Sequence, residues 1–169
     1  MKKYRPLVMT ALLCALSVIL TRAFFAPQFE LFGVLVRPNF GLICIIFCGL
    51  FFGKYYGLSC GLISDLIGFL ISPMGSMFIP LITVGSACAG FLPGFFKAKK
   101  INYVAVFFAV LLSSLIHSVF GSYGLAFTFP ATYSIGLIIL PRALFAVGMS
   151  VIYYAVICIL VKALASFRD

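Results

Sequence analysis

The sequence is poor in charge. Charged residues make up 9% of its 169 positions, and only Glu30, Asp65 and Asp169 are acidic. A soluble domain is about a quarter charged and about half apolar, whereas this chain is 64% apolar. So little polar surface cannot face water all round, and the chain reads as an integral membrane protein. The same figures exclude disorder, which needs low hydrophobicity. Histidine occurs once, at His117, and tryptophan not at all. One histidine and two acids away from the chain end cannot build most hydrolytic or metal-dependent sites. His-Glu-x-x-His is absent, which removes the zinc proteases. Gly49-Leu50-Phe51-Phe52-Gly53-Lys54 imitates a phosphate loop. It is one spacer residue short, and Tyr55 stands where Ser or Thr would hold magnesium. No enzymatic activity, cofactor or metal is expected of this chain.

Twelve Lys and Arg leave a net charge of +9. On a soluble protein that excess points to nucleic acid. Here the basic residues sit in short clusters between apolar runs, as the orienting charges of membrane proteins do. No nucleic-acid partner is expected. All six cysteines, Cys14, Cys44, Cys48, Cys60, Cys88 and Cys158, fall inside apolar runs. Disulfide frameworks belong to small, polar, secreted chains, so these read as buried small apolar residues. Met1-Lys2-Lys3-Tyr4-Arg5 before an apolar stretch imitates a signal peptide. The run is long, Arg22 follows it, and no clean small-x-small site is present, so a retained first helix is expected.

Crossing a bilayer takes about 20 apolar residues in a helix. Six stretches stand out: Pro6 to Phe25, Pro38 to Phe52, Tyr56 to Ile71, Phe78 to Phe96, Asn102 to Phe120, and a last one ending near Ala165. The last begins near Pro141 or a turn or more earlier. The second starts on a proline, a favoured first-turn residue, and is short. In this arrangement Lys2, Lys3, Arg5, Lys54, Lys97, Lys99, Lys100, Lys162 and Arg168 share one side. Arg22, Arg37 and Arg142 lie towards the other. The excess of basic residues marks the cytoplasmic side. The expected fold is an all-α membrane protein with six transmembrane helices and both termini cytoplasmic. It forms a single domain over residues 1–169 in the cell membrane.

Two outer links are long. Ala26 to Arg37 contains the apolar run Leu31 to Val36, and Gly121 to Leu140 carries Tyr123, Phe127, Phe129, Pro130 and Tyr133. Aromatic loops on one face suit either a ligand site or an interfacial belt. Small residues four apart let helices approach closely in lipid. They occur at Gly57 and Gly61, Ser64 and Gly68, Ser86 and Gly90, Gly90 and Gly94, and Ala11 and Ala15. Most of these pairs read as internal packing, and one as a surface for a partner subunit.

Polar residues near the membrane core are costly and become functional candidates. Arg22, Arg37, Asn39, Asp65, His117 and Arg142 all approach the outer half of the membrane in this arrangement. Each also has a plain structural reading. Arg22 and Arg142 can snorkel to headgroups. Asp65 can pair with either of them, His117 can be a satisfied bundle histidine, and Arg37 can cap a loop. Their convergence favours a trap for an anionic aromatic solute. Arginine binds carboxylate in a bidentate fashion, and Phe and Tyr stack on flat rings.

Ala11-x-x-x-Ala15, six hydrophobic spans in so short a chain, and the stretch Gly57 to Gly68 (Gly-Leu-Ser-Cys-Gly-Leu-Ile-Ser-Asp-Leu-Ile-Gly) resemble a known family. They resemble the substrate-binding S components of energy-coupling factor (ECF) vitamin transporters. Arg22-Ala23-Phe24-Phe25-Ala26-Pro27, Glu30 to Gly41, Ser64-Asp65-Leu66, Pro73-Met74-Gly75 and Pro141-Arg142 are similar to the folate-specific branch. The resemblance implies capture of folate outside. It also implies delivery inward with a transmembrane coupling subunit and two ATPase subunits that use ATP. It further implies that Ala11 and Ala15 dock on the coupling subunit. For a folate ligand, Arg22, Arg37 and Arg142 are the anion partners. Asp65 or Asn39 faces the pterin edge, and His117 is a further donor. Phe24, Phe127, Phe129, Tyr123 or Tyr133 stacks on the rings. Sister branches for pantothenate or riboflavin share the third-helix pattern. A membrane protein without a solute and a self-sufficient transporter or channel are the contrasting classes.

Overall fold

The computed structural model describes residues 4–22, 29–71, 78–96, 103–130 and 134–166. Six α-helices make up most of it: α1 (Arg5–Arg22), α2 (Gly41–Phe52), α3 (Lys54–Ile71), α4 (Pro80–Phe91), α5 (Tyr103–Thr128) and α6 (Ile135–Ser166). Between α1 and α2 lies a small hairpin of β1 (Phe29–Leu31) and β2 (Val34–Val36). Clusters that carried the orientation argument (Lys2, Lys3, Lys97, Lys99, Lys100, Arg168) lie outside the described residues. So do Phe24, Tyr133, the segment Ala23 to Pro27 and Pro73-Met74-Gly75.

α2 is the hub. Every residue from Gly41 to Leu50 is buried, because α1, α3, α4, α5 and α6 all pack on it. Around this hub α1 lies beside α3, α3 beside α4, α4 beside α5, and α5 beside α6. That position explains why α2 reads as a continuous apolar run with no polar face. At 12 residues it rises about 18 Å, too little for a hydrocarbon core of about 30 Å. Among the described residues three helices are long and apolar enough to cross a membrane: α1, α5 and the part of α6 up to Lys162. α4 is short too, and a 3₁₀ turn, Leu92–Phe96, extends it. Pro80 sits in its first turn, where a missing N–H costs nothing.

Several boundaries differ from the sequence reading. Gly121 to Leu140 is not a long loop. α5 runs on through Thr128, and α6 begins at Ile135 with Pro141 inside it. In lipid an unpaired backbone group is so costly that the chain stays helical past residues that end helices in water. Pro38 does not start a helix; α2 begins at Gly41 after Phe40. The link Gly53-Lys54-Tyr55 shrinks to Gly53 alone, since Lys54 opens α3. Gly53 has φ +107°, a backbone region that side chains rarely adopt. The run Leu31 to Val36 is a hairpin, with Phe29 opposite Val36 and Leu31 opposite Val34. Phe32 and Gly33 turn it with φ of +52° and +78°, the paired positive values that match strand twist.

The pairs Gly57 and Gly61, Ser86 and Gly90, and Gly90 and Gly94 are helix contacts at one end of the bundle. A Cβ on Gly57 would be driven into the Gly90 carbonyl oxygen, one on Gly61 into that of Ser86, and one on Gly94 into the Lys54 backbone. α3 and α4 therefore touch through bare backbone. The cysteines carry free thiols. Cys14, Cys44, Cys48 and Cys60 are buried, and Cys88 and Cys158 half-buried.

Candidate functional site

The opposite end of the bundle gathers the polar groups. The segment between β2 and α2 brings Arg37 and Asn39 there. Asn39 is fixed from two sides: its backbone N–H donates to Tyr153 Oη of α6 at 3.2 Å, and its Oδ1 accepts from Thr21 Oγ1 of α1 at 3.1 Å. α5 contributes Ser114, His117 and Ser118, spaced to share one face, and α6 contributes Arg142. Together with Val36 of the hairpin and Phe145, Met149 and Tyr153 of α6 they line one cavity of about 60 Å³. That volume holds a few waters. A pocket for a drug-sized ligand is about 300 Å³ or more.

His117 lines this cavity, and its Nε2 is fully buried with no hydrogen-bond partner. An unsatisfied buried polar atom costs about 1–3 kcal/mol. Arg142 and Asp65 both act electrostatically on this imidazole. Asp65 also acts on the Arg22 guanidinium, as does Arg37. The carboxylate is held by Thr83 of α4, whose Oγ1 donates to Asp65 Oδ2 at 2.7 Å. Arg22, Asp65 and Thr83 thus form a polar group that links α1, α3 and α4.

Of the ligand candidates named from the sequence, Arg37, Asn39, His117 and Arg142 line the cavity itself. Arg22 and Asp65 adjoin it electrostatically. Tyr123 and Phe129 do not line it. Tyr123 stands on α5 with Phe127, where both border a separate apolar recess, and Phe129 is exposed just beyond that helix. Sequence reasoning missed Tyr153, Ser114, Ser118, Phe145 and Met149. The signal was there: Arg142, Phe145, Met149 and Tyr153 follow the three-to-four spacing of one helix face.

Ala11 and Ala15 lie elsewhere. Both are exposed on α1, in a groove of about 640 Å³ closed on its other side by Ile63, Ile67 and Ile71 of α3. The stretch Gly57-Leu58-Ser59-Cys60-Gly61 spells Gly-x-Ser-x-Gly, the sequence of a hydrolase nucleophile elbow. It sits inside α3, and Ser59 Oγ donates to the Tyr55 carbonyl at 2.9 Å. A nucleophile elbow needs a strand-to-helix turn and a nearby base, so this serine is a surface helix residue.

Comparison with known proteins agrees with the membrane reading. The sequence matches the family described as ECF-type riboflavin transporter, S component, over residues 1–166. The fold is similar to that of a crystal structure of FolT bound with folic acid. The TM-score is 0.71 at 22% identity, covering 89% of this chain and 87% of that one. Likeness at that identity establishes the helical fold. A search of curated proteins finds no match. S components are integral membrane subunits of transporters and not enzymes, which accords with the apolar helices. A family match over nearly the whole length, on a six-helix membrane fold, means that this chain belongs to the ECF-type riboflavin transporter S-component family.

Proposed function

We propose that this S component captures folate, or a closely related anionic vitamin, at the hairpin end of the bundle. The observation that carries the reading is a cavity lined by Arg37, Asn39, His117 and Arg142, with Arg22 and Asp65 adjoining it electrostatically. Folate carries two carboxylates on its glutamyl tail and a flat pterin whose edge presents hydrogen-bonding groups. Arginines suit the carboxylates. Asn39, Asp65 and His117 suit the pterin edge. Phe145, against which Phe29 of the hairpin packs at a ring separation of 6.3 Å, suits stacking. The similar FolT structure holds folic acid, which fits this choice.

Loading a ligand of that size into a 60 Å³ cavity requires its walls to part. The hairpin supplies one wall, through Val36. It is held by the small cluster of Val34, Val36, Ala126 and Ile138. In this reading both termini are cytoplasmic and the arginine end faces out. A coupling subunit docks along Ala11 and Ala15, and two ATPase subunits supply the energy.

The family description favours a second reading, riboflavin. Riboflavin is uncharged at neutral pH and leaves three arginines without a carboxylate to hold. Equilibrium binding separates the two. Purified protein is titrated with labelled folate, with riboflavin, pantothenate and thiamine as competitors. Calorimetry or radiolabel is used, since the chain has no tryptophan. Saturable folate binding near 12 kcal/mol, a nanomolar affinity, that the others do not displace is expected. Displacement by riboflavin assigns the site to the flavin.

A further inference from the structure

The glycines of this chain fall into different classes by what a side chain would meet. At Gly57, Gly61, Gly90 and Gly94 it meets backbone. At Gly136 and Gly148 it meets nothing within 4 Å. Gly68 and Gly121 belong to neither group. A Cβ on Gly68 would stand 3.0 Å from Arg22 Nε and 3.5 Å from its Nη2, and the three nearest atoms all belong to Arg22. A Cβ on Gly121 would stand 3.2 Å from Arg142 Nη2 and 3.8 Å from its Cζ, with nothing else within 4 Å.

The geometry points to Gly68 and Gly121 as positioning residues: each leaves room for one guanidinium against its helix and so sets where that positive charge stands relative to the site. The inference rests on the anion-binding reading above.

Two further features support it. Gly68 follows Asp65 by one turn of α3, and Gly121 follows His117 by one turn of α5, so each seat shares a face with a polar group of the site. Each seated arginine interacts electrostatically with that polar group: Arg22 with Asp65, and Arg142 with His117. A helix presents a guanidinium with a bare backbone surface only where it carries glycine. Any other residue pushes the guanidinium outwards by a few tenths of an ångström. Bidentate recognition depends on where the guanidinium stands, because both N–H bonds must align together.

The character of the obstruction makes the effect separable from folding. At Gly57 a methyl group collides with a carbonyl that cannot move. At Gly68 and Gly121 it meets the far end of a flexible side chain, which yields by a few tenths of an ångström. Alanine there leaves the fold intact and displaces the arginine.

The test compares folate with its diamide, in which both glutamyl carboxylates are neutral. Gly68→Ala, Gly121→Ala and the control Gly148→Ala are purified beside Arg22→Ala and Arg142→Ala. The two seat variants are expected to unfold at the parent temperature. They should bind folate at least ten-fold more weakly and bind the diamide as the parent does, so that the preference for folate shrinks as it does in the arginine variants. Seat variants that keep the parent preference while the arginine variants lose it overturn the inference. Equal weakening towards both ligands also overturns it, as does failure to fold, since the methyl group would then be meeting fixed structure. If Arg22→Ala and Arg142→Ala keep the full preference, the anion reading itself falls and the seats with it.

Discussion

At the end of the bundle where α2 turns into α3, the helices touch through bare backbone. At the end where the hairpin lies, they are held together by side chains, several of them charged. Gly49, Gly57 and Gly90 meet one another's backbones across α2, α3 and α4. Nothing there can rearrange without moving a helix. Across the bundle Thr21, Asn39, Tyr153, Thr83 and Asp65 join the helices by single hydrogen bonds of 2.7–3.2 Å. His117 Nε2 is left unsatisfied beside a small cavity. The difference teaches where a transport subunit keeps its adaptability. A site that must admit and release a solute needs contacts that rotate, and a frame that must carry it intact needs contacts that do not.

The sharpest way to break this contrast is to add one carbon to the backbone seam. Gly57→Ala and Gly90→Ala each place a methyl group against a carbonyl oxygen of the facing helix. Overpacking of this kind costs roughly 3 kcal/mol, so a large fall in unfolding temperature in detergent is expected. Gly148→Ala, with open space at its Cβ, should stay within about 0.5 kcal/mol of the parent. A stable Gly57→Ala would mean that the seam flexes, and the distinction between the two ends would disappear.

The opposite signature is expected at the hairpin end. Arg142→Ala should weaken folate binding by roughly 1.5–3 kcal/mol, the range for a hydrogen bond to a charged group, with little change in unfolding temperature. Calorimetric titration of folded protein checks it, and unchanged affinity removes Arg142 from the site. Thr83→Val sharpens the same contrast at smaller amplitude. It removes the donor to Asp65 Oδ2 and should cost about 1.5 kcal/mol of stability, read by thermal unfolding. An unaffected Tm would show that water replaces the hydroxyl there.

Much of this was legible in the sequence, for identifiable reasons. Membrane residence followed from composition. The grouping of Arg22, Arg37, Asn39, Asp65, His117 and Arg142 followed from counting spans, because a wrong count would scatter them between the two ends. What escaped had rules of a different solvent behind it. Gly121, Gly124 and Pro141 read as loop and helix-start signals in water, yet all three lie inside helices here. Tyr123 was consequently placed in a loop over the site when it stands on the flank of α5. The hairpin hid inside an apolar run whose strands are three residues each, too short for alternation to show. Gly68 was grouped with Ser64 as helix packing, because spacing alone cannot say whether a small residue faces a helix or a guanidinium.

The smallest effect on fold and ligand, and the most informative about partners, is expected at Ala11 and Ala15. Both face outwards from α1 into an apolar groove against α3, away from the backbone seam and from the arginines. A leucine at either position extends into that groove, whose lining is mostly apolar. Ala11→Leu and Ala15→Leu should therefore leave the unfolding temperature and folate affinity within about 0.5 kcal/mol of the parent. Their effect should appear only when the coupling subunit and ATPases are present. In lipid, helices associate by close backbone approach, and a leucine side chain holds a partner helix off the strip. Vitamin uptake by cells expressing the complete transporter should then fail although the vitamin still binds the isolated subunit. Uptake at the parent rate would move the docking surface off α1. Loss of binding in the isolated subunit would instead make the two alanines part of the internal packing between α1 and α3.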